Sequence, residues 1–258
     1  MPDPILYGPE SMAYDTYAVV TPAPGAPLSG GMVAYRHRMP LGTQMVLQDG
    51  RKFRFGAAGA ATLVVGNMLT AGVLTASQQD LTPAAGAALD RTVTLTTGAA
   101  SAVNLFAEGW LQASVTPGIG QTYKIAGHAL MTAGAGDIVM LAPGHALREA
   151  ITTSTRFNLV DNPYFRLIQS PATTVASQPM GVAVSAPTTL RGCFIQTRGC
   201  CGVLGSGTLI AGDVIGSGLG TAGAAGPIAA LATQPIVGWA MFASASGAAS
   251  PVWLCIDG

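Results

Sequence analysis

The stretch LRGCFIQTRGCCGVL, Leu190 to Leu204, limits what this chain can fold into more than any other. Cys193, Ile195 and Thr197 alternate with Phe194, Gln196 and Arg198, and Gly192 and Gly199 bracket the run. Alternation with period 2 sorts side chains onto the two faces of a pleated sheet. The glycines predict a strand, a turn and a second strand, with Gln196 and Arg198 facing outward. Around this stretch, Gln178 to Val184, Leu209 to Ile215, Pro235 to Phe242 and Val252 to Ile256 are short, apolar and bounded by Gly, Pro or Ser. They predict further strands of the same barrel or sandwich. The expected fold class is all-β: short antiparallel strands forming small barrels or sandwiches, with an extended Pro-rich N-terminal arm.

Upstream, TQMVLQDGRKFRF (Thr43 to Phe55) predicts a hairpin, with Asp49-Gly50 supplying the positive φ values of a type I′ turn. Phe53 and Phe55 then face the core, and Lys52 and Arg54 face outward. Ala60 to Ala76 is expected as two strands joined at Gly66-Asn67. Thr92 to Leu95, Trp110 to Val115, Tyr123 to Ala126 and Asp137 to Leu141 are also expected strands, with helical turns only in Gln78 to Ala88 and His145 to Ile151. GAGDIVML (134–141) echoes IAGDVIGS (210–217), a Gly-Asp turn leading into a β-branched pair. Gly216 to Pro227 is expected as a long loop.

Three regions follow: an arm over 1–40, a middle β-domain over 41–155 and a C-terminal barrel-like domain over 156–258. The arm places Pro2, Pro4, Pro9, Pro22, Pro24 and Pro27 among Tyr7, Tyr14 and Tyr17. Proline removes donors and fixes φ, so the arm is expected to be extended and ordered only by lying on another surface, such as a neighbouring subunit.

Charged residues make up only 9% of the chain, against about a quarter in a typical soluble domain. Such a surface is expected to be largely covered by partners. The formal net charge is zero, which removes the electrostatic case for nucleic acid or an anionic membrane. Charge is nevertheless uneven. Arg36, His37, Arg38, Arg51, Lys52 and Arg54 crowd one region with only Asp49 opposing, while Asp3, Glu10 and Asp15 stand in a start without basic residues. The basic cluster reads as a solvated strand face or as an ion-pairing surface for a protein neighbour. No secretory leader pattern opens the sequence, and Gly, Thr, Ser or Pro interrupts every apolar run short of a membrane span, so residence in the cytoplasm until assembly is expected.

Chemistry-bearing patterns are sparse. Cys193, Cys200, Cys201 and Cys255 do not make paired CxxC motifs, and adjacent Cys200 and Cys201 belong on opposite strand faces, which favours buried free thiols over a disulfide or a metal site. His128 and His145 both sit in GHAL, more a turn pattern than a metal pair, and His37 is remote. Gly205-Ser206-Gly207 and Gly216-Ser217-Gly218 lack nucleophile-elbow spacing. Asp137 and Asp213 suit local turn bonding. No catalytic residue, metal or cofactor is expected. Trp110, Trp239 and Trp253 are expected as core or interface anchors ahead of a sugar platform.

LGTQMVLQDGRKFRF with GAAGAATLVVGNM, then MGVAVSAPTTLRGCFIQTRGCCGVL, AGDVI and PIVGWAM, resembles the capsid cement, or decoration, proteins of tailed bacteriophages and related head structural proteins. That family's pattern of Gly, Gln-Thr, Gly and Val is met by Gly192, Gln196, Thr197, Gly199 and Val203, its Gly-Asp turn by Gly212-Asp213, and its closing strand by Pro235 to Gly238. The match covers about half the chain, mostly residues 41–70 and 178–242. The middle block, about 80–160, falls outside it and is expected as an inserted or elaborated β-domain. The resemblance implies a structural virion protein without catalysis, made in the host cytoplasm and bound to the outer capsid surface across major capsid protein junctions. The implied partners are the major capsid protein and further copies of the chain as a trimer, with no nucleic acid or membrane. Tyr7, Tyr14, Tyr17, Arg36, Arg38, Arg51, Lys52 and Arg54 are the expected contact residues. The rival expectation is a tail, fibre or baseplate adsorption module that binds a host-surface glycan.

Overall fold

The computed structural model describes residues 5–18, 39–73, 76–173, 177–217, 220–228 and 234–257. Almost all regular structure in them is strand, as expected. In chain order these are β1 (Ile5–Tyr7), one helical turn α1 (Ser11–Tyr14), β2 (Thr16–Tyr17), β3 (Gln44–Val46), β4 (Lys52–Ala57), β5 (Met68–Thr70), β6 (Thr82–Pro83), β7 (Thr92–Thr96), β8 (Trp110–Val115) and β9 (Thr122–His128). The remainder are β10 (Gly136–Leu141), β11 (Arg156–Val160), β12 (Ile168–Gln169), β13 (Pro179–Ala183), β14 (Gly192–Leu204), β15 (Val214–Ser217), β16 (Ala225–Pro227), β17 (Gly238–Ala240) and β18 (Ala249–Cys255). A 3-10 turn at Ala76–Gln78 precedes β6.

One local device launches β3, β5, β9, β10, β14, β15, β16 and β18. Each begins one residue after a four-residue turn whose last N–H donates to its first carbonyl, as in Thr43 to Pro40 (3.2 Å), Asp213 to Ile210 (3.0 Å) and Ala248 to Ala245 (3.2 Å). The third turn residue has positive φ: Gly42, Gly66, Gly120, Gly134, Leu190, Gly212, Gly223 and Gly247 respectively. This is type II geometry, in which only that position must enter the left-handed region, so glycine recurs there. The echo between 134–141 and 210–217 is two copies of this device out of register. The positive-φ residue is Gly134 in one and Gly212, next to Asp213, in the other.

Two compact units form, with a boundary at Asn162/Pro163, and residues 39–73 join the C-terminal part instead of the middle block. Within the described residues the first unit combines 5–18, 39–73 and Pro163 onward, and the second spans 76–162. The hairpin at 43–55 leaves the middle block because β4 pairs antiparallel with β14, Phe55 opposite Phe194 and Phe53 opposite Gln196. Phe53, Phe55 and Phe194 are fully buried there.

In the first unit the sheet runs β1-β3-β4-β14-β18-β17-β15-β16, and β2, β13, β5 and β12 attach beside β14. β14 is one continuous strand, where a turn was expected. Gly199 has φ 88° but does not reverse the chain, and a bulge lies two residues before it: Gln196 pairs with Phe53 and Arg198 with Lys52, leaving Thr197 extra. Before the bulge both faces are covered, and Gln196, expected outside, is 2% exposed, its amide donating to the carbonyls of Arg198 (3.1 Å) and Cys200 (2.8 Å). After it, exposed Cys200 and Gly202 alternate with buried Cys201 and Val203. The predicted pair of strands at 60–76 reduces to β5, with Val64 and Val65 exposed before it. The 48–50 turn also differs from expectation. Gly50 donates to the Leu47 carbonyl and Leu47 to that of Arg51, with positive φ at Gly50 but not at Asp49, a type I turn with a glycine bulge.

The second unit is a six-stranded sheet with strand order β11-β8-β9-β10-β7-β6. Leu81, just before β6, bridges Phe157 of β11 through two backbone hydrogen bonds of 2.8 and 2.9 Å, which curls the sheet back on itself. Leu81, Val93, Leu95, Leu111, Ile125, Val139 and Phe157 fill its interior. No helical turn forms at 145–151, where bends and an extended run join β10 to β11. Of the expected loop 216–227, residues 216–217 belong to β15 and 225–227 to β16.

Close approach constrains one glycine more than φ does. A Cβ on Gly238 would lie 2.1 Å from the Trp253 carbonyl oxygen, whereas one on Gly212 (φ 91°) would meet nothing within 4 Å. Gly212→Ala is expected to cost about 1–2 kcal/mol, the left-handed penalty alone. Gly238→Ala is expected to cost about 3 kcal/mol or more, because the β17–β18 ladder must shift. Urea unfolding midpoints of the two variants check the order.

Candidate functional site

The sequence-predicted contact residues separate into three settings. Tyr17 is an anchor: its ring meets Phe55 edge-on at 5.6 Å and Phe194 at 6.1 Å, and its hydroxyl donates to the Met12 carbonyl at 3.1 Å. Burial, with a smaller effect from Asp15, raises its pKa. Arg54 is committed to its own chain, gripping Asp257 through Nε (2.7 Å) and Nη2 (3.1 Å) and donating to the Gly42 carbonyl (3.0 Å). Lys52 is half-buried in β4. Arg36 and Arg38 lie outside the described residues.

Tyr7, Tyr14 and Arg51 do come together. β1 adds in parallel to β3 at the sheet edge, Tyr7 opposite Val46, and α1 follows at once. Between this strap and the 47–51 turn lies a groove of about 560 Å³ lined by Tyr7 to Glu10, Val46 to Asp49 and Arg51. Arg51 ties the two sides together. The guanidinium sits 2.5 Å from Glu10 and 2.6 Å from Asp49, and it donates to the Tyr14 hydroxyl at 3.4 Å. Tyr14 in turn donates to Glu10 at 3.2 Å. Glu10 was not among the expected residues, although the acid-only start facing a base-rich hairpin was the signal for it. The cluster, with one arginine and two carboxylates, therefore presents a polar surface with one carboxylate in excess, flanked by exposed Tyr7 and Tyr14.

A second surface depends on register. Cys200 of β14 opposes Trp253 of β18, Trp253 opposes Trp239 of β17, and Trp239 opposes Val214 of β15. All four face water, Trp239 and Trp253 at 44% and 46% exposure. Exposed Met241 and Phe242 follow β17. Arg198 is the one charged residue in β15, β17, β18 and the half of β14 that pairs with β18. Asp213, just before β15, has its carboxylate bound to the Ile210 N–H at 2.8 Å.

The remaining polar groups serve local structure. His128 is buried, its Nε2 accepting from the Phe106 N–H (3.0 Å) and its Nδ1 at 2.7 Å from the Ala129 carbonyl. Asp137 accepts from the Thr132 N–H (3.1 Å) and the Thr97 hydroxyl (2.6 Å). All four cysteines are free, and burial pushes Cys193 and Cys201 up to about 12, which leaves those thiols unreactive at neutral pH. Cys200 is exposed and Cys255 half-buried. Among the described residues, no group of three or more His, Cys, Asp or Glu side chains converges as a metal site would require.

No protein-family model matches the chain, and no curated protein or solved structure matches it either. The fold and these surfaces define the chain as a weakly charged all-β protein with a polar groove at one sheet edge and a neutral indole-bearing sheet face.

The strap should loosen in acid. Hydrogen bonding from the Arg51 guanidinium holds Glu10 below its usual pKa, and the Arg51 backbone N–H, then its side chain, do the same for Asp49 against partial burial. Stability from such depressed carboxyls is complete above their unfolded pKa of about 4 and is lost as pH falls through the lower folded values. Amide exchange of residues 5–14, corrected for intrinsic rates, is expected to accelerate below about pH 4. Glu10→Gln is expected to show the faster exchange already at pH 7.

Proposed function

We propose that this protein is a structural component of a tailed-phage virion, a cement protein bound to the outer capsid surface across major capsid protein junctions as a homo-oligomer, most simply a trimer. The observation that carries this reading is the surface. Only 9% of residues are charged, while large apolar side chains stand exposed on both units, including Tyr7, Val65, Leu89, Ile119, Leu130, Ile138, Ile210, Trp239, Phe242 and Trp253. Apolar groups scattered singly are ordinary, but combined with so few charges they fit a chain whose faces are covered by neighbours. The motif resemblance over 41–70 and 178–242 adds the capsid as the neighbour.

The physical task is multivalent. Several modest contacts on one oligomer act at high effective concentration, so the oligomer clamps adjacent capsid subunits that single contacts would hold weakly. Arg51, Tyr7 and Tyr14 at the groove are the proposed capsid-facing group, and the strap that carries the two tyrosines is part of the contact. The adjacent exposed indoles of Trp239 and Trp253 also favour a second reading, a tail, fibre or baseplate module that stacks on a host glycan.

Purified protein is expected to bind empty heads and to be present at hundreds of copies per particle by gel densitometry. Deletion of residues 1–18 is expected to weaken head binding at least tenfold. A handful of copies per particle, with binding to host polysaccharide and none to heads, is the result expected of the adsorption module.

A further inference from the structure

We infer that the Cys200–Trp253–Trp239–Val214 face is where this chain packs against further copies of itself about a shared symmetry axis. The cross-strand row spans about 14 Å over four strands, and every member is exposed. Trp239, Trp253, Met241, Phe242 and Val214, exposed at 44%, 46%, 41%, 65% and 36%, offer roughly 500 Å² of apolar surface. A stable interface buries about 800 Å² per partner, so this patch supplies the centre of one and leaves only a rim to be added.

The charge pattern selects the occupant. About a symmetry axis only residues close to the axis meet their own mates, so a charge at the centre of a self-interface is repelled in every copy at once. A surface that recognises a different protein is under no such restriction and gains specificity from charge. Across these strands Arg198 is the one charged residue, at the end of the paired run opposite Cys255. The groove at Arg51, by contrast, concentrates an arginine, two carboxylates and two tyrosines. One charge at the margin of one face and a cluster of charges at the other divide the labour: self-association through the tryptophans, a different partner at the groove. Glycan recognition fits the row less well, since ligand sites add a few placed hydrogen-bonding groups to their apolar lining, and Cys200, Val214, Pro251 and Gly202 around the indoles supply almost none.

Self-association needs no capsid, so this inference can be tested apart from the proposed function. Full-length protein is to be examined by sedimentation velocity, with iodoacetamide labelling of Cys200 read by peptide mass spectrometry. The expected wild-type result is an oligomer in which Cys200 labels at least tenfold more slowly than in urea. Trp239→Lys and Trp253→Lys, at positions already half in water, are expected to sediment as monomers with an unchanged circular dichroism spectrum and fast Cys200 labelling. A wild-type monomer, including one that binds polysaccharide through its tryptophans, overturns the inference. So does an oligomer whose Cys200 labels at the unfolded rate, or folded lysine variants that remain oligomeric. If the variants do not fold, protection of Cys200 in the wild type decides. Head binding by a monomer would sink the self-interface and leave the capsid reading standing.

Discussion

The first unit depends on the pairing of β14, because no other strand touches so many separate parts of the chain. Its first half is paired with β4, β2 and β13, and its second half with β18. Segments near residues 16, 55, 182 and 252 are therefore held in one sheet by a single stretch. The Tyr17, Phe55 and Phe194 rings meet edge to face, with Phe55 and Phe194 at 5.4 Å. Each such contact adds about 0.5–1.5 kcal/mol beyond the area it buries. The bulge at Thr197 lets a strand covered on both faces continue as a strand with one face in water. That change of environment turns Cys200 outward and, through the register with β18 and β17, creates the tryptophan face.

How far the sequence discloses this varies with environment. Trp110–Val115 coincides with its expected bounds because one face is buried and the other wet, so the alternation survives in the residues. The Phe53/Phe55 alternation against Lys52/Arg54 is legible for the same reason. Leu190 to Gly199 misleads because both faces are covered: Gln196 occupies an inner position by donating to backbone carbonyls, and Gly199 takes positive φ without reversing the strand. Val64 and Val65 carry strand composition but sit in a type II turn and its approach. The recurrence of that turn is present in the sequence only as scattered glycines, since its third position alone is constrained and the other three vary freely.

Non-local features were the least accessible. Nothing near residue 50 announces that its hairpin pairs across an inserted domain, and nothing near Arg51 names Glu10, 41 positions away, as its partner. Two tryptophans 14 residues apart become neighbours only once the β17–β18 register is known. The cysteines were better disclosed: the expectation that Cys200 and Cys201 face opposite ways holds, with Cys201 buried and Cys200 in solvent.

A scaffold with few charges, a charged groove at one edge and a neutral aromatic face on another suits a subunit that must join both its own copies and a foreign lattice. An averaged cryo-electron microscopy map of the intact particle tests that account most directly. The account predicts density for this chain repeated over the outer shell, with its Arg51 groove toward the major capsid protein and its tryptophan faces meeting around a symmetry axis. Density confined to the tail, or capsid-bound copies with their tryptophans open to solvent, would contradict it.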